Sequence, residues 1–62
     1  MSQNALILRY LKFGRHLTPL AALRLFNCFR LASRIFELRQ RGYKIQCRRR
    51  EINGKFFSEY YL

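Results

Sequence analysis

Aspartate is absent from this chain, and Glu37, Glu51 and Glu59 are its only acidic residues. Histidine occurs once, as His16. With so few groups able to carry protons, no nucleophile–base pair appears. No glycine-rich loop is present to cradle a phosphate, so no catalytic residue is assigned and no enzyme is expected. Cysteine occurs twice, as Cys28 and Cys47, without Cys-x-x-Cys spacing. Together with one histidine these make no zinc pattern, and neither metal nor cofactor is expected. The two could form one disulfide at most and are read as small free thiols in a reducing compartment. No apolar run approaches the roughly 20 residues that span a bilayer. The first positive charge, Arg9, follows the start of the apolar residues, which is not the order of a secretory leader. The expectation is a soluble, cytoplasmic protein without a membrane partner.

What remains is compact and strongly basic. Sixty-two residues allow one domain, over 1–62. A chain of this length buries only about 60% of the surface its unfolded form exposes, so its core is small. Half of the residues are nevertheless hydrophobic, with six Phe and four Tyr. That composition is too apolar for a disordered tail. Thirteen Lys and Arg give a formal charge of +10. Such an excess repels itself and weakens the compact state, which a polyanionic partner would explain. All but Lys12, Lys44 and Lys55 of these cations are Arg, the better fork for phosphate oxygens and guanine edges.

Apolar spacing predicts three helices and a hairpin. Residues 4–13 place Leu6, Ile7, Tyr10 and Leu11 on one face, with Asn4 or Ser2 as N-cap and Gly14 as left-handed stop. Thr18-Pro19 is a capping hydroxyl before a first-turn proline. It opens a second helix from Pro19 to about Phe26, with Leu20, Leu23 and Phe26 as its apolar contacts and Ala21 and Ala22 keeping one surface thin. Asn27 suits the left-handed conformation of a tight turn. A third helix is expected from near Phe29 to about Arg41, with Leu31, Ile35 and Leu38 inward and Gly42 as its stop. The period then changes to two over residues 43–52. Asn53-Gly54 is a type I′ hairpin signal, and residues 55–62 return. A two-residue loop pairs Ile52 with Lys55, Cys47 with Tyr60 and Ile45 with Leu62, and these are expected on an apolar inner face with Tyr43. Arg48 opposite Glu59 and Arg50 opposite Phe57 then form the charged outer face.

Two helices joined by a short turn set the second across the first, where it can enter a major groove. With Leu31, Ile35 and Leu38 committed inward, the outward arc is read as Arg30, Ser33, Arg34, Glu37 and Gln40, with Arg41 toward phosphate. Arginine reads guanine O6 and N7, serine is adaptable, and glutamate accepts from cytosine N4. In the hairpin, Arg48, Arg49, Arg50 and Lys55 cluster toward the tip and suit the phosphate backbone or a minor groove. Edge-strand protection is the competing use of that charge. His16 is read as a surface or cap residue.

The residues Thr18-Pro19-Leu20, Ala22-Leu23, Leu25-Phe26-Asn27-Cys28-Phe29-Arg30-Leu31-Ala32, Arg34-Ile35, Leu38-Arg39, Gly42-Tyr43 and Ile45, with Asn53-Gly54 and the ending Tyr60-Tyr61-Leu62, resemble the short helix-turn-helix proteins common in bacteriophages and prophages. The resemblance runs over nearly the whole chain. It implies an α+β winged helix-turn-helix fold, three helices followed by a two-stranded antiparallel hairpin as the wing. It also implies sequence-specific binding of double-stranded DNA in a bacterial host cell, as a small transcription regulator or an excisionase-like accessory factor, with a homodimer on DNA as one option. A second reading uses the same fold to bind and inhibit a host protein. A membrane-surface peptide is disfavoured, because all three apolar stripes are needed for one core.

Overall fold

The computed structural model describes residues 2–62; Met1, the first residue of the expected domain, lies outside them. Three helices lead into one antiparallel hairpin: α1 (Gln3–Lys12), α2 (Pro19–Phe26), α3 (Leu31–Gln40), β1 (Gln46–Ile52) and β2 (Lys55–Tyr61). The order matches the sequence expectation, and the ends of the elements show why. Ser2 caps α1, its hydroxyl accepting from the Ala5 N–H at 3.2 Å. Asn4, the other candidate cap, lies inside the helix and is buried. Thr18 caps α2 through the Ala21 N–H at 3.1 Å, with Pro19 in the first turn. Asn27 ends α2 in the left-handed region at φ 53°. The third helix is shorter than its expected span. Phe29 and Arg30 precede it, and Arg41 is its C-cap. Arg30, at the N-cap, makes no side-chain capping bond. Replacing Thr18 by alanine is expected to cost about 1 kcal/mol, seen as a fall of roughly 5 °C in a thermal melt followed by circular dichroism.

The core is one cluster of Ile7, Leu11, Leu17, Ala22, Cys28, Leu31, Ile35, Leu38 and Ile45. Tyr10, Phe26, Tyr43 and Tyr60 pack on it half-buried. The inward stripe of α3 is as the periodicity predicts. In α2 the structure departs from it. Leu20 is 58% exposed and Leu23 is also exposed, while Ala22 is buried completely. Eight residues make just over two turns, and the contact falls on Ala22, whose small size was expected to allow a close approach, and on Phe26, not on the two leucines.

The hairpin has the register that Asn53-Gly54 dictates, from Ile52↔Lys55 through Arg50↔Phe57, Arg48↔Glu59 and Cys47↔Tyr60 to Gln46↔Tyr61. Asn53 and Gly54 both have positive φ, 53° and 77°, as a type I′ turn requires. Strand β1 begins three residues later than expected, and Ile45 and Leu62 fall outside the ladder. Ile45 is buried and Tyr60 half-buried, but Cys47 and Leu62 are exposed. β2 rather than β1 therefore meets the helices, every residue of β1 being exposed and residues 57–61 of β2 half-buried or buried, and the tip at 51–56 projects into solvent. The long dimension of the molecule, 34 Å against 22 and 20 Å, is consistent with that projection.

One contact is absent from the sequence expectation. Leu17, in the connector between α1 and α2, is fully buried and pairs antiparallel with Tyr60. The Leu17 N–H donates to the Tyr60 carbonyl and the Tyr60 N–H to the Leu17 carbonyl, each at 2.8 Å. The connector thus adds a one-residue third strand to β2 and ties the wing to the helices. No helix of the described residues is long and apolar enough to cross a membrane.

Candidate nucleic-acid interface

The turn between α2 and α3 is held from both sides. The Asn27 N–H reaches the Leu23 carbonyl at 3.0 Å and the Cys28 N–H the Ala22 carbonyl at 3.2 Å. From α1, the Gln3 side-chain amide donates to the carbonyls of Phe26 and Asn27 at 3.1 and 3.2 Å. Cys28 is buried in this turn, so its side chain is a core contact and not a ligand; both cysteines are free. Leu31, Ile35 and Leu38 then fix the rotation of α3 about its axis.

That rotation decides what the helix presents. At about 100° per residue, Ser33 and Gln40 lie some 170° from the centre of the buried stripe, Phe36 and Glu37 about 130°, and Arg34 only about 70°. Ser33 and Gln40 are exposed accordingly, as are Arg30 and Arg41 at the two ends. Arg34 and Glu37 are half-buried and paired with each other at 2.9 Å. Glu37 also accepts from the Asn4 side-chain amide of α1, at a long 3.5 Å. These two residues, expected on the open arc, are thus paired along α3, Glu37 also touching α1, with 36% and 43% of their side chains still exposed. The residue that sequence reasoning missed is Phe36, which is 58% exposed. A projection centred on all three buried positions would have found it. Arg39, on the other flank, donates through Nε to the Ile45 carbonyl at 3.0 Å and anchors the start of the hairpin.

The wing arginines divide by strand alternation. Arg48 and Arg50 share a face and both reach the carboxylate of Glu59 across the ladder: Arg48 Nε to Oε1 at 2.9 Å, Arg50 Nη1 to Oε2 at 3.2 Å. His16 lies on the same carboxylate, its Nδ1 2.9 Å from Oε1, and stacks on Tyr61 with ring centroids 5.0 Å apart. An ionised carboxylate only accepts, so Nδ1–H is the donor. Glu59 is buried while both guanidinium groups stay about half exposed. Burial raises its pKa, but hydrogen bonds from His16, Arg48 and Arg50 outweigh that and hold the pKa at about 2. The charged face of the hairpin is therefore inward at Glu59, not outward as the alternation was read. His16 joins because the Leu17–Tyr60 pairing carries its neighbour beside Glu59, a proximity that no local motif encodes. Arg49 points to the other face, over the Phe56 ring at 4.6 Å. Lys55, next to the tip, is exposed.

Electrostatically the surface is almost undivided. Of thirteen cationic residues, Arg34, Arg48 and Arg50 meet a side-chain carboxylate among the described residues. The others keep their charge for solvent or for a partner. No group of three His, Cys, Asp or Glu among the described residues is arranged to hold a metal. A family model for the winged helix-turn-helix domain matches residues 2–60. Comparison with curated proteins and with solved structures gives no match.

Proposed function

The chain belongs to the winged helix-turn-helix domain family, and we propose that it binds double-stranded DNA with α3 in the major groove and the β1–β2 wing on the adjacent backbone. The observation that carries this reading is the exposed arc of α3 standing free on a molecule of charge +10 whose buried acid is consumed in holding two of its own arginines. Ser33 and Gln40 face the base edges, Arg30 and Arg41 lie at the ends of the helix where the phosphate strands pass, and Arg48, Arg49, Arg50 and Lys55 serve the backbone. Arg34 and Glu37 contribute by setting the arc rather than by free base contacts. The binding is non-covalent, in the cytoplasm of a bacterial host. A role as a small phage or prophage transcription regulator, or as an excisionase-like accessory factor, is supported by the resemblance of nearly the whole chain to such proteins. Two copies on one site would follow the usual logic of inverted half-sites.

The test is binding to a random-sequence duplex pool across a salt series. Arg48 and Arg50 are poor first choices for substitution, because removing them strips the buried Glu59 of its partners. Arg49→Ala with Lys55→Ala removes two wing cations that have no bond to Glu59. The expected result is that log affinity falls less steeply with log salt by about one unit per lost phosphate contact, equally for all sequences. Absence of duplex binding by the parent protein overturns the reading and favours a host-protein target. An unchanged slope in the double variant reassigns the wing charge to edge protection.

A further inference from the structure

Phe36 sits on the part of α3 proposed above to enter the major groove, and the inference from it rests on that reading. The ring is 58% exposed, one turn before Gln40 and one turn after Ser33 on the same open face. Phe13 and Phe29 are exposed too, at 72% and 79%, but Phe13 follows α1 and Phe29 precedes α3, so Phe36 is the exposed ring carried on the open face of α3 itself. Phe26 packs on the edge of Tyr10 at 5.7 Å, Tyr61 on His16, Tyr43 under Lys12, and Phe56, itself 59% exposed, under Arg49. Phe36 has neither a ring nor a cation partner among the described residues. An apolar side chain in the middle of a polar arc gains most by leaving water.

We infer that Phe36 reads thymine, packing its ring against the C5-methyl group of a T in the major groove while Gln40 takes an adjacent adenine edge. The chemistry leaves little choice. A phenyl ring neither donates nor accepts hydrogen bonds, and the thymine methyl is the one apolar group that the major-groove edges of the four base pairs display. The negative face of the ring disfavours phosphate oxygens, so the ring belongs at the groove floor and not on the backbone. Gln40, at i+4, carries the amide that pairs in bidentate fashion with adenine N6 and N7. The site is thus A·T-bearing at its centre, with the arginines at the helix ends on phosphate. A protein partner for the same ring is disfavoured by Arg39, one turn on at i+3, and by the formal charge of +10, which suit a polyanion.

The experiment uses the full chain and the best duplex from the random pool. Each thymine in turn is replaced by deoxyuridine, which removes the methyl and nothing else. One replacement is expected to weaken parent binding about fourfold, the effect of one buried methyl-sized group. Phe36→Ala should bind the thymine duplex more weakly and show no response at that position. Phe36→Leu should restore part of the response. Since the ring is exposed, both variants should melt within about 3 °C of the parent. A parent that binds DNA but ignores every methyl, a selected site without thymine, or a Phe36→Ala variant with the full methyl response would each overturn the inference and leave DNA binding intact. A parent that binds no duplex at all instead overturns the reading beneath it.

Discussion

Glu59→Ala is expected to lower the melting temperature at pH 7 by about 10 °C or more, and to abolish most of the acid sensitivity of the fold. The carboxylate is 8% exposed and carries three partners: His16, Arg48 and Arg50. Its pKa is about 2 in the folded protein against an ordinary 4.5. A depressed folded pKa means that the folded state holds its proton less tightly than the unfolded chain. The stabilisation is therefore complete above about pH 5 and is lost as the pH falls from 4.5 toward 2. Each unit is worth about 1.4 kcal/mol, but the partners are about half exposed and screened by water, so about 2 kcal/mol is the expected share. For a domain this small, each kcal/mol moves the midpoint by roughly 4–8 °C. Melts at a series of pH values check the sign: the parent loses stability through this window and the variant stays nearly flat. If the variant keeps the parent's acid profile, Glu37 or Glu51 carries the effect instead.

Leu17→Ala is expected to be more damaging still, at about 3 kcal/mol. The side chain is fully buried, and the total stability of a chain this size is on the order of 3–9 kcal/mol. The informative control is Leu20→Ala, three residues on. Leu20 is 58% exposed and its loss should cost within about 0.5 kcal/mol. Chemical denaturation of both variants decides between them. Equal losses would mean that the connector does not hold the core and that the outer face of α2 does. Amide exchange at Tyr60 gives a second readout, because the Leu17 variant should lose protection there before the helices lose theirs.

These two residues also mark what a sequence can and cannot disclose. Thr18-Pro19, Asn27 and Asn53-Gly54 each impose a backbone geometry on their own. The start and end of α2 and the register of the hairpin were therefore legible to the residue. Leu17 carries no such signal: a single paired residue has no period, and its partner Tyr60 is remote in sequence. The burial of Glu59 followed from the same hidden pairing. The inner face of the hairpin was only half legible because alternation tells which residues share a face, not which strand lies against the helices. Tyr60 is on β2, which does, and its ladder partner Cys47 is on β1, every residue of which is exposed. On α3 the stripe was correct, and the arc drawn opposite it, Arg30, Ser33, Arg34, Glu37 and Gln40, took only residues whose side chains bond to bases or phosphates. Phe36, an apolar residue on the same open side, was therefore passed over.

The pairing of connector and wing also orders events in time. The helices and the hairpin are each closed by neighbours a few residues apart, whereas His16 meets Glu59 across 43 residues of chain. Contacts that span long loops form late, because the closure entropy must be met before they stabilise anything. The three helices can therefore assemble while the hairpin is still unattached, and the join at residues 16–17 and 59–60 completes the molecule. The same join is expected to open before the helices on warming, read as faster amide exchange at Leu17 and Tyr60 than in α1 and α3, and its opening would let the hairpin swing from the helical body. A duplex held on both sides of that joint would suppress the swing, and slower amide exchange at Leu17 and Tyr60 in the complex would register the grip without any change in the average structure.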